Sequence, residues 1–402
     1  MHLQRVQVPD FRVLKDIDIS FEKEFSPRIF PLGSLNGGGK STLLQLIFIL
    51  LHCSADPQKY HFIRNLLEDF TIPKGTDQRT LAKFEIANRG GIIGLEYLVF
   101  LGSSFSALYS TIENKTFLIS ESIGKEQSFA SKPKYILDYN NYILAYRIIQ
   151  AYLTTVNEAQ DQSTNIDFDK SDIFLDNLSK KVFLASPSTQ IFLFLSKKYR
   201  KSRFKSNKTL ENQEESSKKQ DRGWEWDDAK NQLTNFFPYD FVSVDILIQS
   251  FKQARDKDFE EAIETGGHYG KHYQNLLNDF NKFLKDKQIN LDKDLSGVNF
   301  KAERNGETIE LYPEDLSHGE LKRLSLYVWL KYSNIENAII LFDEIEIALH
   351  PDWQYQIIRD LEEWGPTNQY ILATHSYELC QALTPAHVKE IEPKLLNNVN
   401  HS

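Results

Sequence analysis

The stretch Ile29-Phe30-Pro31-Leu32-Gly33-Ser34-Leu35-Asn36-Gly37-Gly38-Gly39-Lys40-Ser41-Thr42 decides the fold. Its apolar start predicts a strand over Ile29–Leu32. Beyond it Leu43, Leu44, Ile47, Leu50 and Leu51 recur at helical spacing. A glycine-rich turn between a strand and a helix, closing on Gly39-Lys40-Ser41-Thr42, has the context of a phosphate-binding loop. The small residues Gly37, Gly38 and Gly39, with Asn36, let consecutive backbone amides wrap a polyphosphate, and the helix N-terminus adds partial positive charge. In this reading Lys40 reaches the β- and γ-phosphates and the Ser41 hydroxyl ligates Mg²⁺. Ser34 stands where the leading glycine of the motif is expected, and it is small enough to serve.

Three further segments supply the rest of such a site. Ala338-Ile339-Ile340-Leu341-Phe342-Asp343-Glu344 is an apolar run ending in two acids, as a buried parallel strand does at its C-terminal edge. Asp343 suits a Mg²⁺ site, and Glu344 suits the polarisation of an attacking water. Tyr370-Ile371-Leu372-Ala373-Thr374-His375-Ser376 reads as a second buried strand, placing His375 where it can contact a γ-phosphate. Leu316-Ser317-His318-Gly319-Glu320 precedes an apolar helix. Ser317 fits its N-cap and Glu320, three residues on, completes a capping box. An open helix N-terminus is also an anion site.

Taken in their order along the chain, with Leu316–Glu320 second, the four motifs resemble the ATPase head of ATP-binding-cassette proteins, in the branch shared by SMC-like repair proteins and OLD-family ATPases. The resemblance makes Ser34–Thr42 the Walker A motif, Leu316–Glu320 the signature, Ile339–Glu344 Walker B and His375 the switch histidine. The run Asp343-Glu344-Ile345-Glu346-Ile347-Ala348-Leu349-His350-Pro351-Asp352-Trp353-Gln354 is similar to the DEPE-x-x-LHP-x-x-Q stretch of OLD-like ATPases, with Ile345 in place of proline. Phe11-Arg12 resembles the family's N-terminal strand turn, where an arginine approaches the nucleotide, so Arg12 is a candidate.

The resemblance covers roughly residues 1–120 and 290–392. It implies an α/β fold: a P-loop head of the ABC type with an antiparallel β-lobe and an inserted helical subdomain. It also implies ATP and Mg²⁺ as substrate and cofactor, and pairing of two heads so that Ser317, Gly319 and Glu320 meet the nucleotide of the partner copy. The span between Thr42 and Leu316 is too short for an SMC coiled coil. The residues after His375 leave no room for the TOPRIM nuclease domain of full OLD proteins. The chain therefore looks most like the PtuA-type ATPases of Septu anti-phage systems, which act with a separate HNH nuclease. Close in architecture are PARIS-type ATPases, which restrain a toxin nuclease. Partners expected on this resemblance are a second copy or a higher homo-oligomer, and a nuclease subunit of HNH or TOPRIM type. A DNA-repair ATPase of the SMC-like class is the other alternative.

Outward from these motifs the chain is ordinary globular protein. It has 402 residues, 41 % hydrophobic and 26 % charged, which excludes collagen-like and wholly disordered readings. Two cysteines, Cys53 and Cys380, exclude a disulfide framework and point to a reducing compartment. The net charge of −9 argues against a generally basic nucleic-acid coat. The longest apolar run, Leu43–Leu51, is broken by Gln45 and is far below the roughly 18 residues that span a bilayer. No N-terminal hydrophobic segment is present, so a cytoplasmic protein without membrane contact is expected.

Three regions follow: 1–120, the N-terminal half of the head with its β-lobe; 121–289, a mostly helical insertion with a polar loop near 197–228; and 290–402, the C-terminal half of the head. Lys197–Lys205 is the most basic stretch, with Tyr199 and Phe204 interleaved, and is the candidate nucleic-acid contact. His268 and His272 could pair on a helix face, but the neighbouring glycines disfavour a metal site there. Trp224 and Trp226 are candidate partner anchors.

Overall fold

The computed structural model describes residues 1–34, 37–88, 91–105, 117–119, 126–131, 133–153, 170–204, 229, 231–239, 243–284, 286–304, 306–333 and 335–391. Its centre is a parallel sheet in the order Phe236–Pro238, Val182–Ser186, Ile339–Asp343, Gln369–Ala373, Ile29–Gly33, Lys389–Glu390. Side chains alternate across it. Ile339 and Leu341 join Phe30, Leu32, Leu184 and Ile371 in one core. Ile340 and Phe342 join Ile29, Ala185, Tyr370 and Leu372 in another. Both faces are covered, which is why these strands read as unbroken apolar runs.

Over the first face lies the helix Lys40–Cys53, with Leu43 to Leu51 all buried. Such a helix is apolar all round because it is enclosed on every side. Its other flank meets an antiparallel sheet, ordered Leu14–Ser20, His2–Phe11, Gln78–Asn88, Gly91–Leu101, Tyr142–Leu153, Glu126–Ala130, Phe117–Ile119, with Lys134–Tyr139 also paired to Tyr142–Leu153. Tyr97 from this sheet donates its hydroxyl to the Leu50 carbonyl at 2.7 Å. The two sheets are stitched by Gln369, fully buried, whose side chain accepts from the Leu3 amide at 2.7 Å and donates to the Leu3 carbonyl at 2.8 Å. The second face carries the helices Ser243–Glu264, His272–Leu284, His318–Tyr332 and Pro351–Trp364, with a small sheet of Lys287–Leu291, Val298–Arg304 and Glu307–Leu311 beside them. No helix among the described residues is long and apolar enough to cross a membrane.

The middle of the chain departs from the helical reading. Lys134–Tyr139 and Tyr142–Leu153 are strands, so the β-lobe continues to Leu153. The run Tyr142-Ile143-Leu144-Ala145-Tyr146-Arg147-Ile148-Ile149 is rich in β-branched and aromatic residues, which favour a pleated surface. Nor is the middle purely an insertion, because Val182–Ser186 and Phe236–Pro238 are strands of the central sheet. Lys197–Phe204, expected as loop, is a helix. The polar stretch 205–228, with Trp224 and Trp226, lies outside the described residues.

A buried histidine gives the core a pH dependence. His52 stacks on Phe48, its Nδ1 meets the Ser179 carbonyl at 2.8 Å, and Lys59 lies 3.1 Å from its Nε2. Nδ1 is thus the donor and Nε2 accepts from the ammonium, an arrangement only the neutral ring satisfies. Burial pushes its pKa down to about 4. The unfolded chain takes up this proton near pH 6.5 and the folded chain only near pH 4. Stability is therefore full above the upper value and falls by about 3 kcal/mol as pH drops through the window. In urea unfolding across that window, His52→Gln should show a pH slope smaller by about one proton; an unchanged slope contradicts this assignment.

Candidate functional site

The register of the parallel sheet assembles the site. Asp343 pairs with Ala373, and Ala373 with Leu32, so the residues that follow all three emerge on one edge. There the Ser41 hydroxyl donates to Asp343 Oδ1 at 2.8 Å. Asp343 is 2 % exposed. Burial pushes its carboxyl up to about 7, the Ser41 hydroxyl and Lys40 opposing and Glu344 and Glu346 adding to the rise. A buried carboxylate short of counter-charge, joined to a hydroxyl at the end of a phosphate loop, is an oxygen donor set that fits Mg²⁺.

Lys40 is buried, and its ammonium donates to the Ser34 carbonyl at 3.0 Å and the Ser34 hydroxyl at 3.1 Å, with His375 Nδ1 at 3.5 Å. Burial lowers its pKa against the pull of Glu346, Asp343 and Glu344. The lysine thus folds back across its own loop, and its charge is available to phosphates that enter there. Gly39 has φ +94°, and a Cβ there would lie 2.6 Å from Leu14 and 2.9 Å from Val13. Only glycine lets the loop pass this close to the N-terminal hairpin. Gly37, at φ +81°, Gly38 and Thr42 lie in the same turn and helix start, whereas Asn36 falls outside the described residues.

Glu344 sits in the left-handed region, φ 55°, unusual for a residue with a side chain. Its amide donates to the Ala373 carbonyl at 2.8 Å. Its carbonyl accepts from the Tyr239 hydroxyl at 2.8 Å and from Lys322 Nζ at 3.3 Å. Lys322, itself 5 % exposed, also donates to the Ile347 carbonyl at 3.0 Å and lies 3.8 Å from the Tyr239 ring centroid. Tyr239 donates to the Asp343 carbonyl as well. Sequence reasoning assigned no role to Tyr239 or Lys322. Neither belongs to a spacing motif at the site, and Tyr239 comes from the middle segment. The only visible cue was a lysine inside an apolar helix.

Ser317 caps the helix His318–Tyr332. Its hydroxyl accepts from the Glu320 amide at 3.2 Å, and Glu320 Oε2 accepts from the Ser317 amide at 3.0 Å. Burial works against the Glu320 carboxylate, but Lys287 and Ser317 outweigh it and hold it below the usual range. Ser317 is exposed, and its hydroxyl both donates to Glu320 Oε2 at 2.9 Å and accepts from the Glu320 amide. A Cβ on Gly319 would lie 2.6 Å from the Ala348 carbonyl and 3.0 Å from the Trp353 ring, so the signature helix packs directly on the loop after Walker B.

Other candidates are engaged elsewhere. Arg12 donates to the Leu66 carbonyl at 2.9 Å and lies 5.1 Å from the Phe11 ring, beside a cavity of about 250 Å³ lined also by Asp69, Phe70 and Arg79. In the Lys197–Lys205 stretch, Lys197 pairs with Asp69 at 2.6 Å and Arg200 with Glu68 at 3.9 Å. Tyr199 is buried, so one of the two aromatics offered for stacking is core. Lys205 lies outside the described residues. His272 pairs with Glu261 at 2.7 Å, and no group of three or more His, Cys, Asp or Glu side chains placed to hold a metal occurs among the described residues.

A match to AAA_15, described as an AAA ATPase domain, covers residues 1–380. The chain belongs to this ATPase family. Among curated proteins, it is 33 % identical over 99 residues to "Retron Vc95 probable ATPase" of Vibrio cholerae serotype O1 biovar El Tor, an overlap of 22 % of this chain and 19 % of that protein. It is 40 % identical over 51 residues to "Retron Ec83 probable ATPase" of Escherichia coli, an overlap of 13 % and 9 %. The matched stretches thus span a fifth of these relatives or less. Among solved structures, the SMC head domain from Thermotoga maritima aligns with a TM-score of 0.39 and 10 % identity, covering 95 % of this chain and 92 % of that one. A Pyrococcus furiosus Smc head domain bound to the C-terminal domain of ScpA aligns at 0.38 and 13 % identity, covering 95 % and 91 %. These superpositions are loose, and the α/β ATPase reading of this domain stands on the family and on the sheet edge described above.

The restraint on Glu344 is testable. Lys322→Met should lower ATP turnover about tenfold while ATP affinity stays within about threefold, because the Glu344 backbone would lose a restraint, and misplacing the side chain that the sequence reading assigns to water activation would cost rate more than binding. Unchanged turnover would remove Lys322 from this role.

Proposed function

We propose that this chain is the ATP-binding and ATP-hydrolysing subunit of a two-component anti-phage defence complex, in which ATP-gated pairing of two heads controls a separate nuclease of HNH type. The observation that carries the ATPase reading is the Ser41–Asp343 contact, which joins the phosphate loop to a buried carboxylate across the central sheet. The exposed Ser317, capping a helix whose N-terminus faces solvent, supports pairing: its only side-chain partner among the described residues is Glu320 of the same capping box, so a nucleotide of a second copy would reach it from solvent. The likeness to two proteins named as probable ATPases of retrons supports the ATPase part of this reading.

In this mechanism the amides of Gly37 to Gly39 and the ammonium of Lys40 hold the β- and γ-phosphates, and Ser41 and Asp343 hold Mg²⁺. The metal, when bound, neutralises phosphate charge. Glu344, at the sheet edge, accepts a proton from the attacking water. His375, beside Lys40, stands where it registers the γ-phosphate. Loss of that phosphate loosens the pair and relays the nucleotide state to the partner. The basic helix Lys197–Phe204 has two of its charges met by acids, which counts against a DNA-repair ATPase acting through that surface.

Glu344→Gln should retain ATP, accumulate paired heads and lose about 10²-fold or more in turnover; full turnover in that variant would exclude Glu344 as the base. Affinity purification of the chain from its native cells, with mass spectrometry, should return a stoichiometric HNH nuclease. A toxin nuclease released on ATP depletion would instead establish a restraining scaffold, and recovery of the chain alone would contradict the two-component reading.

A further inference from the structure

We propose that Glu346 is a positioning residue for hydrolysis: its carboxylate clamps the backbone of His375 to the loop that follows Walker B, and so fixes the histidine beside Lys40. This rests on the ATPase reading of the head and is independent of any nuclease.

Glu346 Oε1 accepts from the His375 amide at 2.6 Å. Glu346 Oε2 is fully buried and meets no donor among the described residues. Buried carboxylate oxygens nearly always have a donor, so this one needs an explanation other than packing. The explanation lies in its neighbours. Lys40 Nζ is 3.5 Å from His375 Nδ1, and Glu346 is the foremost of the carboxylates that stabilise the Lys40 ammonium. Glu346 therefore holds the histidine through its backbone, and the ring's Nδ1 faces the lysine. Those two side chains stand where a γ-phosphate would arrive.

The platform beneath Glu346 is stiff. Ile345 is fully buried, the Leu349 amide donates to the Glu346 carbonyl at 3.0 Å, and Lys322 holds the Ile347 carbonyl at 3.0 Å. The Ala348 carbonyl packs against Gly319 at the start of the signature helix. A clamp built on this loop ties His375 to the element that presents Ser317.

The test uses the full-length chain and two variants, E346A and E346Q, with thermal melting as a check on folding. Three quantities are read: affinity for a fluorescent ATP analogue, single-turnover hydrolysis, and amide exchange at His375 in nucleotide-free protein. Glutamine keeps an oxygen that can accept from the His375 amide, whereas alanine does not. E346A should exchange the His375 amide about tenfold faster and hydrolyse about tenfold more slowly, with affinity within about threefold. E346Q should restore exchange and hydrolysis to within about threefold of the parent. Three results overturn the proposal: E346A matching the parent, E346A losing affinity in step with turnover, or both variants being equally slow. A parent protein that protects the His375 amide but does not hydrolyse ATP would count against the ATPase reading, while the exchange data still decide the clamp.

Discussion

Everything at the candidate site depends on the parallel register that sets Leu32, Ala373 and Asp343 side by side. Parallel strands need long crossovers, so these three residues come from distant parts of the chain. Once they are aligned, the segments leaving them have no choice but to meet. The phosphate loop leaves the first strand, the His375 turn the second and Glu344 the third. The buried Asp343 carboxylate is tolerated because Ser41 donates to it across that edge. The Gln369–Leu3 stitch keeps the N-terminal sheet in place above the helix that starts at Lys40.

Around this edge the chain restrains backbone as much as side chains. Glu344 is held in a left-handed conformation by donors from two remote elements, Tyr239 and Lys322. Such conformations cost about 1–3 kcal/mol and persist only where the surroundings over-determine them. Lys322 belongs to the helix that Ser317 caps, so the signature motif and the proposed base are mechanically joined within one copy. The close approach of Gly319 to Ala348 is a second joint between the same two elements.

The parts legible in the sequence were those whose chemistry is local. The phosphate loop, the acids closing the Ile339–Asp343 strand, His375 at the end of the next one and the Ser317–Glu320 capping box all follow from spacing within a few residues. What escaped was non-local. Tyr142–Leu153 has enough apolar residues to read as helix, and only its pairing with Gly91–Leu101 settles it as strand. Val182–Ser186 looked like part of an insertion because nothing near it in sequence says that it lies beside Ile339. Glu346 stood inside a quoted motif without a role, since its partner His375 lies in a different strand–turn segment. Arg12 carried a family expectation, and its guanidinium instead meets the Leu66 carbonyl.

The most direct measurement is a crystal structure of the chain with a non-hydrolysable ATP analogue and Mg²⁺. The account predicts the β- and γ-phosphates against the amides of Gly37–Gly39 and the Lys40 ammonium, with the Ser41 hydroxyl turned from Asp343 onto the metal. A nucleotide bound elsewhere, with the Ser41–Asp343 hydrogen bond unchanged, would contradict it.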